Sequence, residues 1–437
     1  MDLVKFNKER VSVAEALNEN AGNEVLVAGW VHNSRDLSKI KFILVRDTTG
    51  VLQVVGIKGE TDKDIFDKMD KISRESVVII KGKLVDSKQA PGGKELNPTS
   101  LEVVAEAEDL QIDVTDYSKT ELSKRLDYRF LDLHRRKIQA IFRVQSTIAK
   151  AFREYFAKEG FVEIFTPSII GSSSEGGTEL FKARYFEKDA FLAQSPQLYK
   201  QMLACSMEKV TLITPVWRAE KHNTPRHLNE ARQMDIEMAF ADAMVVMKEL
   251  ENVVKYIVKI ILEENKEELE LLEVKDLKVP KGKYMTFKEV ADLMKKEKIE
   301  MGEDDLSGEA ERKLGELFPN EIVFVYDWPL SGKPFYIMPK EGKADAELSE
   351  GFDAIYKGME ITSGGQRIHI PELLEKRLKA KGLKPKDFKS YVDSFRFGAP
   401  PHAGWSIGLE RLTMLILGLN NIREAVLFPR DRDRLGP

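Results

Sequence analysis

The N-terminal part of the chain alternates short apolar runs with polar breaks, which is the pattern of a small all-β domain. Residues 25–107 contain five such runs: VLVAGWV, KFILVRD, VLQVVGI, VVIIKGKLV and LEVVAEA. A helical stretch, DKDIFDKMDKISRE, lies between the third and fourth runs. Five strands with a helix after the third match an OB barrel, so we predict an OB domain over residues 1–107. OB barrels commonly bind single-stranded nucleic acid or sugars, although the pattern alone also allows a purely structural β-domain.

Residues 108–135 are polar and are interpreted as a hinge, and longer helices and strands follow from residue 136. A helical period runs through QAIFRVQSTIAKAFREYFAKEG, where Gly160 is typical of a helix C-cap. Apolar runs that predict strands follow as FVEIFTP, VTLITPVW, MDIEMAF, IVFVYDWP, PFYIMP and FDAIYKGMEITSGG. We also predict an amphipathic helix over 244–269, a charged helical insert over 284–318, and a glycine-rich turn leading into a helix at GWSIGLERLTMLILG. Grouped strands and helices without strict βαβ alternation predict an α+β domain over 136–437, with helices flanking an antiparallel sheet.

The composition is that of a globular protein that can bury a large core. The chain has 437 residues, of which 42% are hydrophobic and 32% charged, with a formal net charge of −4. These values exclude a disordered chain and argue against binding to nucleic acid by bulk charge alone, although a local basic surface remains possible. The single cysteine, Cys205, excludes an internal disulfide framework and a multi-cysteine zinc site. We find no signal-peptide pattern and no membrane-length apolar run, and expect a cytoplasmic protein without a membrane segment.

The segment RAEKHNTPRHLNE, residues 218–230, is highly charged and lies between two predicted strands. Arg218 and Glu220 are two positions apart, so on an extended strand they face the same way. A guanidinium can grip a phosphate, and a neighbouring carboxylate can accept a hydrogen bond from an amino group such as that of adenine. Further polar residues of this hairpin are His222, Arg226 and His227 in the loop and Gln233, Asp235 and Glu237 on the return strand. We interpret the hairpin as a clamp for a polyanion; the alternative is a solvated charged loop.

A second chemical signal is GWSIGLERL, which places Arg411 in the first turn of an apolar helix. The positive end of the helix dipole disfavours a structural arginine at this position, so the pattern indicates contact with an anion or a ring. An ordinary surface arginine is the alternative. The P-loop, the dinucleotide-binding glycine fingerprint and the His-Glu-x-x-His zinc motif are all absent from the sequence.

Three segments, in chain order, resemble the signature motifs of class II aminoacyl-tRNA synthetases: FVEIFTP, WRAE…RHLNE…MDIEMAF and GWSIGLERL. Together with the OB pattern they resemble the subgroup for aspartate, asparagine and lysine. The segments SEGGTELF, QSPQLYKQM, ITSGGQR and FGAPPHAGWSIGLERL are similar to the aspartyl-tRNA synthetases of the archaeal and eukaryotic type. The resemblance covers essentially the whole chain, which has no room for the large extra domain that bacterial relatives carry between the second and third motifs.

The resemblance implies an ATP site on the antiparallel sheet. The matching positions are Arg218 for the α-phosphate, Glu220 for the adenine amino group, Arg226 and His227 in the loop over the nucleotide, Arg411 for adenine and the γ-phosphate, and Glu360 and Ser363 for Mg²⁺. Oxygen donors of this kind suit Mg²⁺. Ala231 stands where some relatives carry an aromatic ring that packs on adenine, so stacking is expected to depend more on Arg411.

The resemblance also implies a pocket for L-aspartate. Lys200 and Arg367 match the two cations that hold the substrate side-chain carboxylate. An asparagine amide would leave these cations unpaired, which is a large penalty in a closed site. The other matching positions are Gln197 and Ser363, with Glu175 and Asp235 for the α-ammonium group. Residues 171–177 resemble the loop that closes over the bound amino acid.

The implied reaction joins L-aspartate to ATP as aspartyl-adenylate and then transfers the aspartyl group to the 3′-hydroxyl of the tRNA terminal adenosine. In the barrel, Phe42 and Gln53 match positions that contact anticodon bases, and Arg35 is a further candidate contact. His32 and Pro91 match positions that help to select the tRNA; they favour the aspartate tRNA, and charging of the asparagine tRNA stays open. The matching position for a homodimer interface is Pro167.

Two other functions are compatible with parts of this pattern. An amide-forming ligase could share the catalytic fold, but such relatives lack the barrel. A tRNA-binding protein without catalysis would predict the loss of Arg218, Glu360 or Arg411, and all three are present. Among the remaining features, we expect Cys205 to be a buried helix residue, give His402 a possible role in the site, and expect the 284–318 insert to be peripheral.

Overall fold

A computed structural model of the protein describes residues 3–171 and 179–436. Contacts between α-carbons divide the chain into an N-terminal unit, Met1–Asp113, and a C-terminal unit, Val114–Pro437. Each unit has its own hydrophobic core.

The N-terminal unit is a closed five-stranded barrel with the strand order β1-β2-β3-β5-β4. Its elements are α1 (Leu3–Glu9), α2 (Val13–Asn18), β1 (Glu24–Asp36), β2 (Ile40–Arg46), β3 (Val51–Ile57), α3 (Lys63–Met69), β4 (Val77–Asp86) and β5 (Lys94–Ala105). Strands β3 and β5 pair in parallel, and the neighbouring pairs are antiparallel. The predicted OB barrel is therefore confirmed, including the helix between the third and fourth strands.

The last strand of the barrel is longer than its apolar run predicts. It begins at Lys94 and includes Pro98, which lies opposite Gly82 on β4. Proline has no N–H to donate to the ladder, and the β4–β5 register shifts at this point, between Lys81 and Gly82. A Cβ on Gly82 would lie 2.4 Å from the carbonyl oxygen of Asn97, so the close approach of the two strands requires glycine here.

The C-terminal unit is built on an eight-stranded sheet with the order β12-β13-β14-β15-β16-β11-β10-β6. Its strands are β6 (Val162–Glu163), β10 (Lys209–Trp217), β11 (Glu230–Ala239), β12 (Lys281–Thr286), β13 (Glu321–Tyr326), β14 (Gly351–Tyr356), β15 (Met359–Gln366) and β16 (His402–Gly408), and a separate small sheet contains β7 (Ile169–Ile170), β8 (Lys182–Tyr185) and β9 (Lys188–Leu192). Six central strands are antiparallel, as predicted, whereas the two edge strands β6 and β12 pair in parallel with their neighbours.

Helices cover the sheet of the C-terminal unit. They are α4 (Leu122–Asp127), α5 (Arg129–Asp132), α6 (Arg136–Lys158), α7 (Gln197–Met207), α8 (Ala243–Glu264), α9 (Lys266–Leu271), α10 (Phe287–Lys296), α11 (Gly308–Leu317), α12 (Pro371–Ala380), α13 (Lys389–Phe395) and α14 (Leu409–Leu417). The main core forms where α6, α8 and α14 bury their apolar sides against the central strands. Helix α6 ends just before Gly160, whose φ of 79° is the left-handed conformation expected of a C-cap glycine.

The segment 284–318 is an integral part of the C-terminal unit, and the expectation of a peripheral insert is wrong. It begins inside the edge strand β12 and continues into α10 and α11. Helices α10 and α11 are rich in charged residues, but each has a narrow apolar face that packs on the sheet. Val290 and Leu314 are fully buried, in one cluster with Val325 and Ile355 of the sheet.

Much of the predicted hinge at 108–135 is folded into the C-terminal unit, because α4 and α5 lie there. The Asp132 carboxylate is fully buried and accepts hydrogen bonds from Arg125, Arg129 and Arg135. The high polarity of this segment therefore reflects a buried ionic cluster rather than a flexible connection.

Three apolar runs differ from their predicted structure. The run PFYIMP contributes only isolated bridges, such as Ile337 to Arg367, although its side chains are buried. GWSIG belongs to strand β16 and not to a turn, and FVEIFTP keeps only a two-residue strand. None of the helices in the described ranges is long and apolar enough to span a membrane.

Candidate active site

An open cavity lies over the central strands β10, β11, β15 and β16 of the C-terminal unit. Its lining residues are mostly polar and include Ser195, Gln197, Arg218, Glu220, Arg226, His227, Gln233, Asp235, Glu360, Ser363, Arg367, Glu410 and Arg411. These residues come from distant parts of the sequence and meet because their strands are neighbours in the sheet. The structure therefore brings together most of the residues that the sequence analysis selected.

The base of the charged loop 218–230 is closed by one buried asparagine. The β10–β11 ladder ends at the pair Trp217 and Glu230, so the loop starts directly at Arg218. Asn229 donates from Nδ2 to the carbonyl oxygens of Arg218 and Glu220, at 2.7 and 2.9 Å, and its own carbonyl accepts from Arg218 N. These bonds fix the backbone of Arg218 and Glu220 at the base of the loop, where both residues line the cavity.

Arg411 lies in the first turn of α14, as predicted, and lines the cavity. Its Nη1 donates to the carbonyl oxygen of Glu360 at 2.7 Å, which links α14 to strand β15. The Glu311 carboxylate on α11 accepts a hydrogen bond from Glu360 N and feels the charges of Arg411 and Arg226. An acidic helix that looked peripheral in the sequence thus reaches the edge of the site.

A pair of carboxylates and a hydroxyl mark the place where a divalent cation would fit. Asp353 on β14 lies directly opposite Ser363 on β15, and burial together with the Asp353 charge raises the pKa of Glu360 to about 7. The ammonium group of Lys333 lies 2.5 Å from Asp353 Oδ2. No cluster of three or more acidic, histidine or cysteine ligands occurs in residues 3–171 and 179–436. Lys333 neutralises Asp353, whereas Glu360 has no salt-bridge partner at this distance among the described residues. Two carboxylates with a hydroxyl opposite one of them form a donor set that suits Mg²⁺ with additional phosphate oxygens.

Two buried ion pairs lie at the floor of the cavity. Lys200 on α7 is fully buried, and its Nζ donates to Asp235 Oδ1 at 2.7 Å and to the carbonyl oxygens of Trp405 and Ile236 at 3.1 and 3.3 Å. These contacts use all three donors of the ammonium group. Lys200 therefore supports Asp235 from behind, and a substrate carboxylate could reach it only by displacing one of these partners.

Arg367 follows strand β15 and makes the second ion pair. Its Nε and Nη2 donate to the two carboxylate oxygens of Glu237 at 2.9 and 3.3 Å, while the residue also lines the cavity. Burial alone would raise the pKa of Glu237, but Arg367 and Lys200 hold it below its usual value. Since a guanidinium has five N–H donors, Arg367 keeps donors for a ligand after Glu237 has taken two.

Several polar atoms around the cavity are buried without a partner among the described residues. They include Gln197 Nε2, Gln233 Oε1 and Thr362 Oγ1. Such groups are costly in a folded protein and are usually satisfied by water or a ligand. His402 is instead fully buried behind the site, where its Nδ1 lies 3.0 Å from the carbonyl oxygen of Pro400. Glu175 and nearly all of the predicted closing loop fall in 172–178, outside the described residues.

In the barrel, the predicted anticodon contacts share one face of the β1–β2–β3 ladder. Arg35 is directly opposite Phe42, and Leu44, two positions further along β2, is opposite Gln53. Alternate positions of a strand face the same side, so Arg35, Phe42 and Gln53 line up across three strands. The three side chains therefore form a partly exposed aromatic and polar surface on this face of the barrel.

The two residues linked to tRNA selection have different environments. His32 lies at the bulge of β1, with Nδ1 2.9 Å from Arg46 Nη1, and Arg46 pairs with the buried Glu75. Pro91 is exposed and begins a short 3₁₀ turn before β5. Pro167 lies at an apolar surface beside β7, near the exposed Phe165.

Sequence reasoning missed some residues that the structure places at the site. Asp353, Asn229 and Glu311 have no distinctive sequence signal, because each acts on a neighbour that is distant in the chain. Glu410 could have been identified from the sequence, because it is the neighbour of Arg411 in the motif GWSIGLERL. Both of its carboxylate oxygens accept from Arg232 N at 3.0 Å, and burial raises its pKa to about 7.

Comparison with known proteins agrees with this geometry. Residues 121–432 match the family of tRNA synthetases class II (D, K and N), and residues 25–104 match the OB-fold nucleic acid binding domain. The chain belongs to the class II tRNA synthetases of the D, K and N group. The family model covers the catalytic part of the sequence and the OB-fold model covers the barrel, and together they confirm the family resemblance.

Individual relatives cover almost the full chain. An aspartate–tRNA(Asp/Asn) ligase of Methanopyrus kandleri is 46% identical over 97% of this chain and 98% of its own. An aspartate–tRNA(Asp) ligase of Pyrococcus abyssi is 44% identical over 97% and 98%. Among solved structures, asparaginyl-tRNA synthetase of Pyrococcus horikoshii with asparaginyl-adenylate superposes with a TM-score of 0.93 at 35% identity, covering 98% of this chain and 100% of that one.

Proposed function

We propose that this synthetase is an aspartate–tRNA ligase, which activates L-aspartate with ATP and transfers it to tRNA. The observation that carries the proposal is Arg367, a buried guanidinium at the cavity floor that is held by Glu237 and keeps donors for a substrate. A planar guanidinium matches the two oxygens of a carboxylate better than it matches an amide, which has only one. The aspartate ligases at 44 and 46% identity support the same choice.

Asp235 would hold the α-ammonium group of the amino acid, and Gln197 would contact a carboxylate of the same substrate. Asp235 lines the cavity, where its Oδ1 accepts from Lys200 and its Oδ2 from Ser406 Oγ. Gln197 contributes its unpartnered amide nitrogen, which can donate to a carboxylate oxygen of the substrate. Lys200 acts in this arrangement by fixing Asp235, and Ser363 and Glu175 remain candidate contacts from the sequence.

ATP would occupy the part of the cavity lined by the charged loop. Arg218 would contact the α-phosphate, Glu220 the adenine amino group, and Arg411 the ring and the outer phosphates, with Arg226 and His227 over the nucleotide. All five residues line the cavity, which supports these roles. Glu360, Ser363 and Asp353 would hold Mg²⁺, which supplies positive charge to the phosphates when bound. The carboxylate of the amino acid attacks the α-phosphorus in line, the bond to the α–β bridging oxygen breaks, and pyrophosphate leaves as aspartyl-adenylate forms. Arg218 would stabilise the charge that develops at the α-phosphate.

The barrel would bind the anticodon through Arg35, Phe42 and Gln53. The relatives include ligases named for the aspartate tRNA and ligases named for both the aspartate and the asparagine tRNA. His32 and Pro91 support a preference for the aspartate tRNA, and charging of the asparagine tRNA is the alternative within the same chemistry.

We also propose a cytoplasmic homodimer. Support comes from a row of exposed apolar side chains next to the short edge strand β6: Phe165 is 88% exposed, Ile169 51% and Val162 45%. Pro167 and Ile169 line one mostly apolar surface groove, and a second copy of the chain would cover this region.

The experiment that tests this function is charging of purified tRNA transcripts with labelled aspartate and with labelled asparagine. We expect the aspartate tRNA to be charged with aspartate and not with asparagine. Charging of the asparagine tRNA with aspartate would add the second tRNA without changing the proposed chemistry. Charging of either tRNA with asparagine would contradict the role of Arg367.

A further inference from the structure

The loop that carries Arg226 and His227 is tied to the C-terminal end of the chain. Residues 421–434, here called the C-terminal strap, follow helix α14 and lie along this loop. Main-chain hydrogen bonds join the two segments at both ends: Ile422 N donates to Pro225 O and Asn229 N donates to Arg430 O, each at 2.9 Å. The strap therefore borders the loop from its tip to its base.

Arg423 makes the side-chain connection between the strap and the loop. Its Nη1 donates to Thr224 O at 3.1 Å and its Nη2 to Asn223 Oδ1 at 2.5 Å. Its Nε donates to Asp431 Oδ2 at 2.5 Å, so the guanidinium bridges two parts of the strap and two residues of the loop. Asn223 also donates from Nδ2 to Asp433, which gives the loop tip a second bond to the strap.

Thr224 transmits this contact to the residues that face the cavity. Its hydroxyl lies 2.6 Å from His227 Nδ1 and accepts from Arg226 N at 3.2 Å. The carbonyl that Arg423 holds therefore belongs to the residue that orients Arg226 and His227.

The strap itself is fixed to the body of the C-terminal unit. Arg129, whose side chain is fully buried, donates to the carbonyl oxygens of Glu424, Val426 and Leu427 at 3.1, 2.8 and 3.1 Å. Gln145 on α6 donates to Ala425 O at 2.7 Å. The loop has a charged, half-exposed sequence that cannot pack by itself, so its position depends on a strap that is anchored from behind.

We infer that Arg423 is a positioning residue for the ATP site, because it holds the loop that presents Arg226 and His227. This inference rests on the proposed assignment of ATP to the cavity. Freeing the loop would leave the amino-acid end of the site intact, since Arg367, Glu237 and Asp235 have no contact with the strap in the described structure. The expected defect is therefore a selective loss of ATP affinity.

The test compares Arg423→Gln and Asn223→Ala with Arg434→Gln as the matched control. Arg434 belongs to the same strap, but its side chain donates hydrogen bonds to Asp127 and Ser123 of α4. Asn223 is exposed, so its replacement should leave folding unaffected even if Arg423→Gln destabilises the chain. ATP binding with Mg²⁺ is measured by calorimetry, and the KM values for ATP and aspartate by ATP–pyrophosphate exchange.

We expect Arg423→Gln to weaken ATP binding and raise the KM for ATP by about tenfold, since small displacements of positioning groups have effects of this size. Asn223→Ala should show a smaller change in the same direction, whereas Arg434→Gln and the KM for aspartate should stay at wild-type values. Unchanged ATP affinity in folded Arg423→Gln and Asn223→Ala, or an equal loss in Arg434→Gln, would overturn the inference. Absence of exchange in the wild type would instead refute the proposed function, and calorimetry would still test the strap.

Discussion

Arg367 and Glu237 form a bidentate ion pair at the floor of the cavity, with Nε to Oε1 at 2.9 Å and Nη2 to Oε2 at 3.3 Å. Arg367 is only 2% exposed and Glu237 is fully buried, so neither side chain can reorient without leaving a charge unpaired. The pair therefore fixes the direction in which the remaining guanidinium donors point. A rigid cation of this kind discriminates between a carboxylate and an amide by geometry as well as by charge.

Replacing Arg367 by lysine should weaken aspartate recognition while leaving ATP recognition intact. Lysine keeps the charge but cannot pair with Glu237 and a substrate carboxylate in two fixed directions. We expect the KM for aspartate to rise by about a hundredfold, in line with the loss of a buried charged hydrogen bond. ATP–pyrophosphate exchange with each substrate varied in turn measures both KM values. An unchanged KM for aspartate would place the substrate carboxylate elsewhere.

Replacing Lys200 by methionine should reduce stability more than it reduces discrimination. The change leaves the carboxylate of Asp235 buried without its 2.7 Å partner, and breaking a buried pair from one side costs about 3–5 kcal/mol. Urea unfolding measures the loss in the free energy of unfolding. Lys389→Met, which replaces an exposed lysine, is the control. The double variant Lys200→Met/Asp235→Asn should recover part of the stability. Wild-type stability for Lys200→Met would mean that Asp235 is not charged in the folded protein.

Glu410 predicts a defined pH dependence of stability. Burial raises its pKa from the usual 4.5 to about 7, so between these values the folded protein retains a proton that the unfolded chain has lost. The free energy of unfolding should therefore fall as pH rises through this window because of this group. Glu410→Gln removes the titration while keeping an acceptor for Arg232 N.

The measurement for Glu410 is the thermal midpoint of both proteins at pH 5 and pH 8. The thermal midpoint of the wild type should fall between pH 5 and pH 8 by about 2 °C or more beyond any change in Glu410→Gln. The difference between variant and wild type therefore shifts in favour of the variant at pH 8. A difference between the two proteins that does not change with pH would show that Glu410 titrates normally.

Replacing Phe42 by alanine should affect the tRNA and not the adenylate step. Phe42 lies half-buried on the barrel face opposite Arg35, and stacking of a base on an aromatic ring is worth about 1–3 kcal/mol. We expect the KM for tRNA in aminoacylation to rise about tenfold or more on this basis. Exchange without tRNA should stay normal, and Val104→Ala, at an exposed valine near the end of β5, is the control. A loss of exchange activity would point to a folding defect instead.

The sequence was informative where a local pattern carries the structure. The strands around 218–230 follow from apolar alternation, and the loop begins at Arg218 because the ladder ends at Trp217 and Glu230. Arg411 could be placed in the first turn of a helix because the glycine-rich segment and the apolar period adjoin each other. The five strands of the barrel could also be predicted, because each is a local apolar run bounded by polar residues.

Features that depend on distant contacts could not be predicted in this way. Asp353 is a site residue only because β14 pairs with β15, and Lys200 turned out to be saturated by groups on β11 and β16. The run PFYIMP is apolar enough for a strand, but its two prolines limit ladder hydrogen bonds, and it forms isolated bridges. The 284–318 segment looked peripheral because its charged residues outnumber the few apolar ones that pack on the sheet.

The most direct test of the central claim is amino-acid-dependent ATP–pyrophosphate exchange with aspartate, asparagine and lysine in parallel. The account predicts exchange with aspartate, and a kcat/KM for asparagine lower by a factor of about 10⁴ or more, because the amide leaves the remaining donors of the buried Arg367 without a matching acceptor. Equal or preferred exchange with asparagine would contradict the role assigned to Arg367 and Glu237. Exchange with none of the three would contradict the synthetase activity itself.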